Sequence, residues 1–289
     1  DRKTTERTRQ AMKPIISFPM LGDFSINPPN SFEVFGFSIY WYGVIIAAGF
    51  LLAVLYCMHR CGEFGLNSDN VLDTLIVGTP LAIIGARLYY VVFYFDLYRD
   101  NLWEIFAIRD GGLAIYGGII GAIIGLLIVS RWRRFSALAM LDLGCFGMLI
   151  GQFVGRWGNF INREAYGAET EIFCRMGLTD PVTGNTIYVH PTFLYESLWN
   201  FLGFVLLHIF SKKFERRFDG QFFLMYVAWY GFGRMLIEGL RTDSLYIPGT
   251  AIRVSQLLGA LSCAAAVIAF VIMWKRSDGK KLWKNRSAE

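Results

Sequence analysis

Charge is scarce in this chain: Asp, Glu, Lys and Arg make up only 18% of its 289 residues. An ordinary soluble domain carries about 25%, so a water-soluble globule is not expected. Histidine occurs three times with no clustered spacing, which speaks against a metal centre, and no cofactor is expected. The five cysteines are odd in number, and most lie in or beside apolar runs, with Cys174 alone in a long polar loop. A disulfide framework is therefore not expected. The net charge of +5 does not imply nucleic acid, because the basic residues fall in short runs between apolar segments and form no long basic face.

What the chain has is apolar length. At 54% hydrophobic and 16% aromatic, it reads as an all-α integral membrane protein. Seven segments approach the ~20 residues that a bilayer requires. They lie near Ser38–Met58, Val71–Phe95, Gly112–Val129, Ala137–Ile161, Thr192–Phe210, Gln221–Glu238 and Val254–Trp274. Basic residues follow the first, third, fifth and seventh segments: His59 and Arg60; Arg131, Arg133 and Arg134; Lys212, Lys213, Arg216 and Arg217; and the tail from Lys275. Those sites are read as cytoplasmic, which puts the amino terminus outside and the carboxyl terminus inside. The basic residues before Met12 oppose that orientation, and Met12 is read as the natural start.

The expected organisation is a polar extension over residues 1–14 and a membrane domain over 15–162 with spans one to four. A small extracytoplasmic cap over 163–190, spans five to seven over 191–274, and a basic tail over 275–289 complete it. Within it, Ile15 to Phe37 holds Pro19, Pro28 and Pro29 and reads as a re-entrant or interfacial arm with a short helix. Leu97, Leu102, Trp103, Ile105 and Phe106 alternate with charges at helical spacing, suggesting a helix lying in the interface. Asp180-Pro181, Gly177 and Gly184 are turn signals in the cap. Pro80 is expected to kink span two. Glycines at 117, 121 and 125, and at 147, 151 and 155, recur every four residues and predict close helix packing.

The stretch GRWGNFINREAYG, from Gly155 to Gly167, ends the fourth span and brings Arg156, Asn159, Asn162, Arg163 and Glu164 to the membrane boundary. Helical spacing predicts one face for Arg156, Asn159 and Arg163. A guanidinium and an amide on one wall suit an oxygen-rich anion such as a lipid headgroup. Simple snorkelling of Arg156 and helix capping by the asparagines is the plainer alternative. With the orientation above, Arg87, Arg156, Arg234 and Glu238, and Tyr42, Tyr116, His190, Tyr195 and Glu196, all fall in the outer half of the membrane. Tyr230, Arg234, Glu238 and Arg241 form one polar stripe on span six.

An arginine costs about 2.5–3.5 kcal/mol at the membrane centre on insertion scales. Arg234 is expected to pair with Glu238, while Glu164 and Glu196 are available to Arg156 or Arg87. Arginines in excess of carboxylates would await an anion such as a lipid phosphate. A fully paired polar core is the structural alternative. Asp73 and Asp142 are expected only to cap helices or pair with loop arginines.

The pattern G-R-x-G-N-F-x-N-x-E-x-x-G, met in full by Gly155 through Gly167, resembles the signature of the prolipoprotein diacylglyceryl transferase family of bacterial membranes. Similar landmarks are Trp41-Tyr42-Gly43, Gly85-Ala86-Arg87, Asp110-Gly111-Gly112, His190-Pro191 with Tyr195-Glu196, and Tyr230-Gly231-Phe232-Gly233-Arg234 with Glu238. The resemblance covers nearly all of Ile15 to Trp274. It implies an inner-membrane enzyme whose site faces the extracytoplasmic leaflet, with membrane lipid around it. Its partners would be phosphatidylglycerol and the signal peptides of preprolipoproteins, which carry a lipobox cysteine.

On that resemblance the catalytic set is Arg156, Asn159, Tyr42, Tyr116, Arg234 and Glu164. Arg87, Asn162, Gly167, His190, Glu196, Tyr230, Glu238 and Arg241 would contact substrate or lipid, and no metal is expected. Arg156 and Arg234 would take the phosphate, Glu164 and Glu238 would hold the arginines, and Gly167 would admit a close chain. Many family members carry histidine where this chain has Tyr116, so Tyr116 is a doubtful base. Water or phosphate in a cationic pocket, or else His190, would take the thiol proton. A transporter of anionic lipid or small anions is the competing class, but no internal repeat supports it.

Overall fold

The computed structural model describes residues 14–22, 24–99, 101–108, 111–247 and 249–277. The extension through Met12, Asp110 and the tail beyond residue 277 lie outside them. Seven α-helices occupy the seven expected places: α1 (Trp41–Arg60), α2 (Ser68–Phe93), α3 (Ile115–Arg133), α4 (Ala137–Asn162), α5 (Thr192–Lys213), α6 (Gln221–Ile237) and α7 (Val254–Arg276). All except α6 are long and apolar enough to cross a membrane; α6 has 17 residues and runs on into a 3-10 turn, Glu238–Leu240. Only 11% of the most apolar window of α1, and of α7, is buried within the protein. So much exposed apolar helix calls for lipid as its solvent. Basic residues close α1, α3, α5 and α7, where they complement the negative helix ends.

The chain is not all-α. The arm, expected to be re-entrant or interfacial with a short helix, is built of strands, with only a 3-10 turn at Pro19–Leu21 among its described residues. Strands β1 (Ile15–Phe18) and β2 (Phe24–Ile26) join β5 (Met176–Thr179) and β6 (Thr186–Val189) in one antiparallel sheet of order β2-β1-β5-β6. Arm and cap are therefore one structure. β3 (Ser31–Val34) and β4 (Phe37–Tyr40) form a separate hairpin. Its two-residue turn has positive φ at Phe35 and Gly36, the twist a tight hairpin needs.

In the cap, Asp180 Oδ1 accepts from Val182 N at 2.7 Å and Gly184 has φ +72°, so these two make the β5–β6 turn. The same bond holds the Asp180 carboxyl below its ordinary range. Gly177, expected as a turn residue, lies inside β5, where a Cβ would strike Ser17 Oγ. The interfacial helix is replaced by two 3-10 turns, Phe95–Tyr98 and Leu102–Phe106.

The chain divides into two compact units. One comprises the residues up to Ala53 and those from Cys145, and the other is Val54–Gly144. In the second unit the glycines of α3 do what their spacing predicts. A Cβ at Gly117 would lie 2.2 Å from Gly85 O, one at Gly121 2.1 Å from Leu81 O, and one at Gly125 2.7 Å from Gly78 Cα. Backbone therefore meets backbone along α2 and α3. Pro80 lies within the unbroken α2, and Asp73 pairs with Arg133 at 2.5 Å.

In the first unit Ile16, Met176, Leu178 and Val189 of the sheet pack on Phe160 of α4 and Phe193 of α5. This small core fixes the sheet over the end of α4 and the start of α5.

Candidate active site

Three helix ends in the first unit bring the polar residues together. Arg156 is two turns from the end of α4, Glu196 is near the start of α5, and Arg234 is in the last turn of α6. A tryptophan pair sets the register of α5 and α6. The rings of Trp199 and Trp229 stack at 4.2 Å, and each indole N–H donates to the other's backbone carbonyl, at 3.1 and 3.0 Å. Gly203 and Gly233 leave room for the rings, since a Cβ there would come within 2.3 and 2.1 Å of an indole nitrogen. Glu196 and Arg234 thus face each other across a joint with little freedom to slide.

Glu196 is buried and shared by three guanidinium groups. Arg156 forms an ion pair with its Oε2, Arg234 Nη1 lies 3.3 Å from the same oxygen, and Arg241 Nη1 lies 3.3 Å from Oε1. Arg234 also pairs with buried Glu238 at 2.6 Å, as the four-residue spacing predicts. Arg241 has a second partner, Asp243, held by two bonds of 2.9 and 2.7 Å. This raises the Arg241 pKa and holds the Asp243 carboxyl below its usual range. The expected excess of arginine over carboxylate is not found in this cluster: three guanidiniums meet two buried carboxylates and a third at the edge, as Asp243 is 51% exposed. Arg156 is the least compensated. Besides the shared Glu196, its polar contact among the described residues is Asn159 Oδ1 at 3.3 Å.

Asn159 connects this cluster to the signature turn. Its amide donates to Glu164 Oε1 at 2.9 Å, and Asn162 donates to the same oxygen at 3.3 Å. Glu164, expected to hold an arginine, holds the two asparagines instead. Arg163 also departs from expectation. The helix ends at Asn162, and Arg163 has φ +53°, so its side chain leaves the Arg156–Asn159 face. Tyr42, in the first turn of α1, lays its ring over Gly158, where a Cβ would come within 2.7 Å.

The close chain at Gly167 is the protein's own. Gly167 N donates to His190 O at 2.9 Å, and a Cβ would meet His190 Cβ at 2.6 Å and Leu240 O at 2.8 Å. His190 Nδ1 lies 3.4 Å from the Tyr195 hydroxyl, which also lies 3.6 Å from Cys174 Sγ. Tyr230 stacks on Tyr226, whose hydroxyl accepts from Gln152 at 2.8 Å.

Arg87 and Tyr116 belong to the other unit. Arg87 is buried and carries no carboxylate partner among the described residues. Its guanidinium donates to the backbone carbonyls of Glu104, Ile105, Ala107, Gly111 and Gly112 at 2.6 to 3.5 Å and lies over the Tyr98 ring. It clamps the loop leading into α3, on whose first turn Tyr116 sits half-exposed beside Tyr89.

Sequence reasoning missed Asp243, whose signal was its place two residues after Arg241. It also missed Arg253, which donates to the Glu238 carbonyl; nothing in the spacing of Arg253 points to that contact.

Six helices long and apolar enough to cross a membrane, with a buried cluster of guanidiniums and carboxylates in the first unit, define a multi-pass membrane protein with a charged polar site. Comparison with known proteins makes this specific. Residues 29–273 match the family model described as "Prolipoprotein diacylglyceryl transferase", and the chain belongs to that family. It is similar to proteins named phosphatidylglycerol–prolipoprotein diacylglyceryl transferase. The one from Enterococcus faecalis is 44% identical over 88% of this chain and 92% of its own length. That from Finegoldia magna is 45% identical over 82% and 92%, and that from Streptococcus pneumoniae 43% identical over 84% and 93%.

Proposed function

We propose that this protein transfers the diacylglyceryl group of phosphatidylglycerol to the lipobox cysteine thiol of a prolipoprotein. Sulfur bonds to the glyceryl carbon as that carbon's bond to the phosphate oxygen breaks. The electron pair departs with glycerol phosphate, and the thiol proton passes to phosphate or water. Membership of the family and the names of its relatives support the reaction. The observation that carries the site is the sharing of one buried carboxylate by Arg156, Arg234 and Arg241. Arg156 has only a share of Glu196 as its acidic partner, so a phosphate can compete for its guanidinium, and charge growing on the leaving oxygen strengthens that contact in the transition state.

Arg156 is the principal phosphate ligand, because it has the weakest compensation. Arg234 and Arg241 complete the cationic wall, held by Glu238 and Asp243. Asn159, oriented by Glu164, and Tyr42 position the headgroup or peptide. The cationic field favours a thiolate, so no cysteine of this chain need be the nucleophile. Tyr116 lies at the entry to α3 as a hydrogen-bond donor, and Arg87 acts through the loop it clamps. Seven spans, with the site at the outer leaflet and the carboxyl terminus in the cytoplasm, fit the basic ends of α1, α3, α5 and α7.

The test is transfer of radiolabelled lipid from phosphatidylglycerol to a lipobox peptide. Arg156→Ala should lower turnover by about 10²–10³, the usual loss for one preorganised donor, with membrane insertion intact. Wild-type turnover in that variant would remove the site. Lipid movement without covalent label would make the protein a carrier.

A further inference from the structure

Arg163 has no role in the reaction described so far, yet it is buried and extensively hydrogen-bonded. It is 7% exposed. A guanidinium has five N–H donors, and five oxygens receive them. Nε donates to Pro14 O at 3.1 Å. One terminal nitrogen donates to Asn30 Oδ1 at 3.0 Å and to Ile161 O, and the other donates to Asn27 Oδ1 and Pro28 O, both at 2.8 Å. Every one of these acceptors is uncharged. With its donors used, Arg163 is not a phosphate ligand; it is a clamp between the arm and the end of α4.

Each jaw of the clamp leads to a different residue of the site. On the arm side, the Asn30 carbonyl accepts from Trp41 N at 2.8 Å, which fixes the start of α1 and with it Tyr42. On the helix side, Arg163 is the left-handed residue that turns the chain back. Glu164 N then bonds Asn159 O at 3.1 Å, and the Glu164 carboxylate reaches the Asn159 amide. Asn159 in turn contacts Arg156.

We propose that Arg163 is a positioning residue for the transfer reaction, locking Tyr42 on one side of the site to the Glu164–Asn159–Arg156 chain on the other. The inference rests on the function proposed above. It adds a residue that touches neither substrate nor reacting atoms and acts through geometry alone.

Arg163→Gly separates its two tasks, because glycine adopts the left-handed turn freely but cannot clamp. The purified variant should keep KM for phosphatidylglycerol within a few-fold and lose about 10²-fold in kcat, the scale of a 1 Å misplacement. Added methylguanidinium should restore part of the loss. Wild-type kcat would overturn the proposal. If Arg163→Gly fails to reach the membrane, the double variant Asn27→Ala, Asn30→Ala removes two acceptors and should also lower kcat; an unchanged kcat there is equally fatal.

Hydrogen exchange gives a readout that needs no turnover. Peptides covering Trp41 and Glu164 should exchange together at least tenfold faster in the variant than in wild type, and unchanged protection in either would refute the clamp. Absence of transfer in the wild-type control would sink the proposed function while leaving this exchange test standing.

Discussion

Glu196 meets three guanidinium groups with one negative charge, so the residues beyond it decide how much positive charge the site keeps. Glu238 draws on Arg234 and Asp243 draws on Arg241, leaving Arg156 with an amide oxygen as its other partner. Asp243 is the member of this set whose protonation can be followed. Arg241 depresses its folded-state pKa below the unfolded value of about 3.9. The bond's contribution to stability is therefore complete above that value and is lost as pH falls through the folded one. Thermal unfolding in detergent should find Asp243→Asn less stable than wild type at pH 6, with the gap closing toward pH 3. A gap independent of pH would mean that the carboxylate does not stabilise the fold. Arg156, Asn159 and the Arg234–Glu238 pair were legible because helical spacing fixes their faces. Arg163 and Glu164 were not, because the helix stops at Asn162 and two left-handed residues, Arg163 and Ala165, redirect the chain.

Glycine marks the helix contacts, but the four-residue repeat alone does not say which glycines touch. A Cβ at Gly121 would sit 2.1 Å from Leu81 O and 3.0 Å from Ala82 Cα, both backbone atoms that cannot swing aside, whereas a Cβ at Gly151 meets nothing within 4 Å. Gly121→Ala should thus cost about 1–3 kcal/mol, as overpacking does. Gly151→Ala should be neutral, or gain up to about 1 kcal/mol from helix propensity. Unfolding in detergent distinguishes the two, and equal melting temperatures would contradict the backbone contact. The helices were readable because each is a long apolar run. The arm strands were hidden because four-residue segments such as Ile15–Phe18 carry too little periodicity to separate strand from helix. Moreover β1 owes its pairing partly to β5, more than 150 residues away in the sequence.

The number of spans decides where the termini lie, and α6 decides the number. Its 17 residues rise about 26 Å, short of the ~30 Å hydrocarbon core. The 3-10 turn Glu238–Leu240 adds about 6 Å, just enough to cross. The polar residues of this end, Arg234 and Glu238, are paired to each other and turned toward Glu196, so they do not bar the helix from the membrane. If α6 crosses, the seven spans are odd and the termini lie on opposite faces. If it does not, the α6–α7 loop lies on the face opposite the cap and the carboxyl terminus joins the cap, an arrangement that the Gly167–Arg241 bridge between cap and loop opposes. Single cysteines in a cysteine-free background separate these cases. Thr183→Cys at the cap turn should react with an impermeant maleimide on intact cells, and Ser277→Cys after α7 only once the membrane is opened. Labelling of both on intact cells would reduce the spans to six and move the basic end of α7 outside, against the charge bias that orients the other helices.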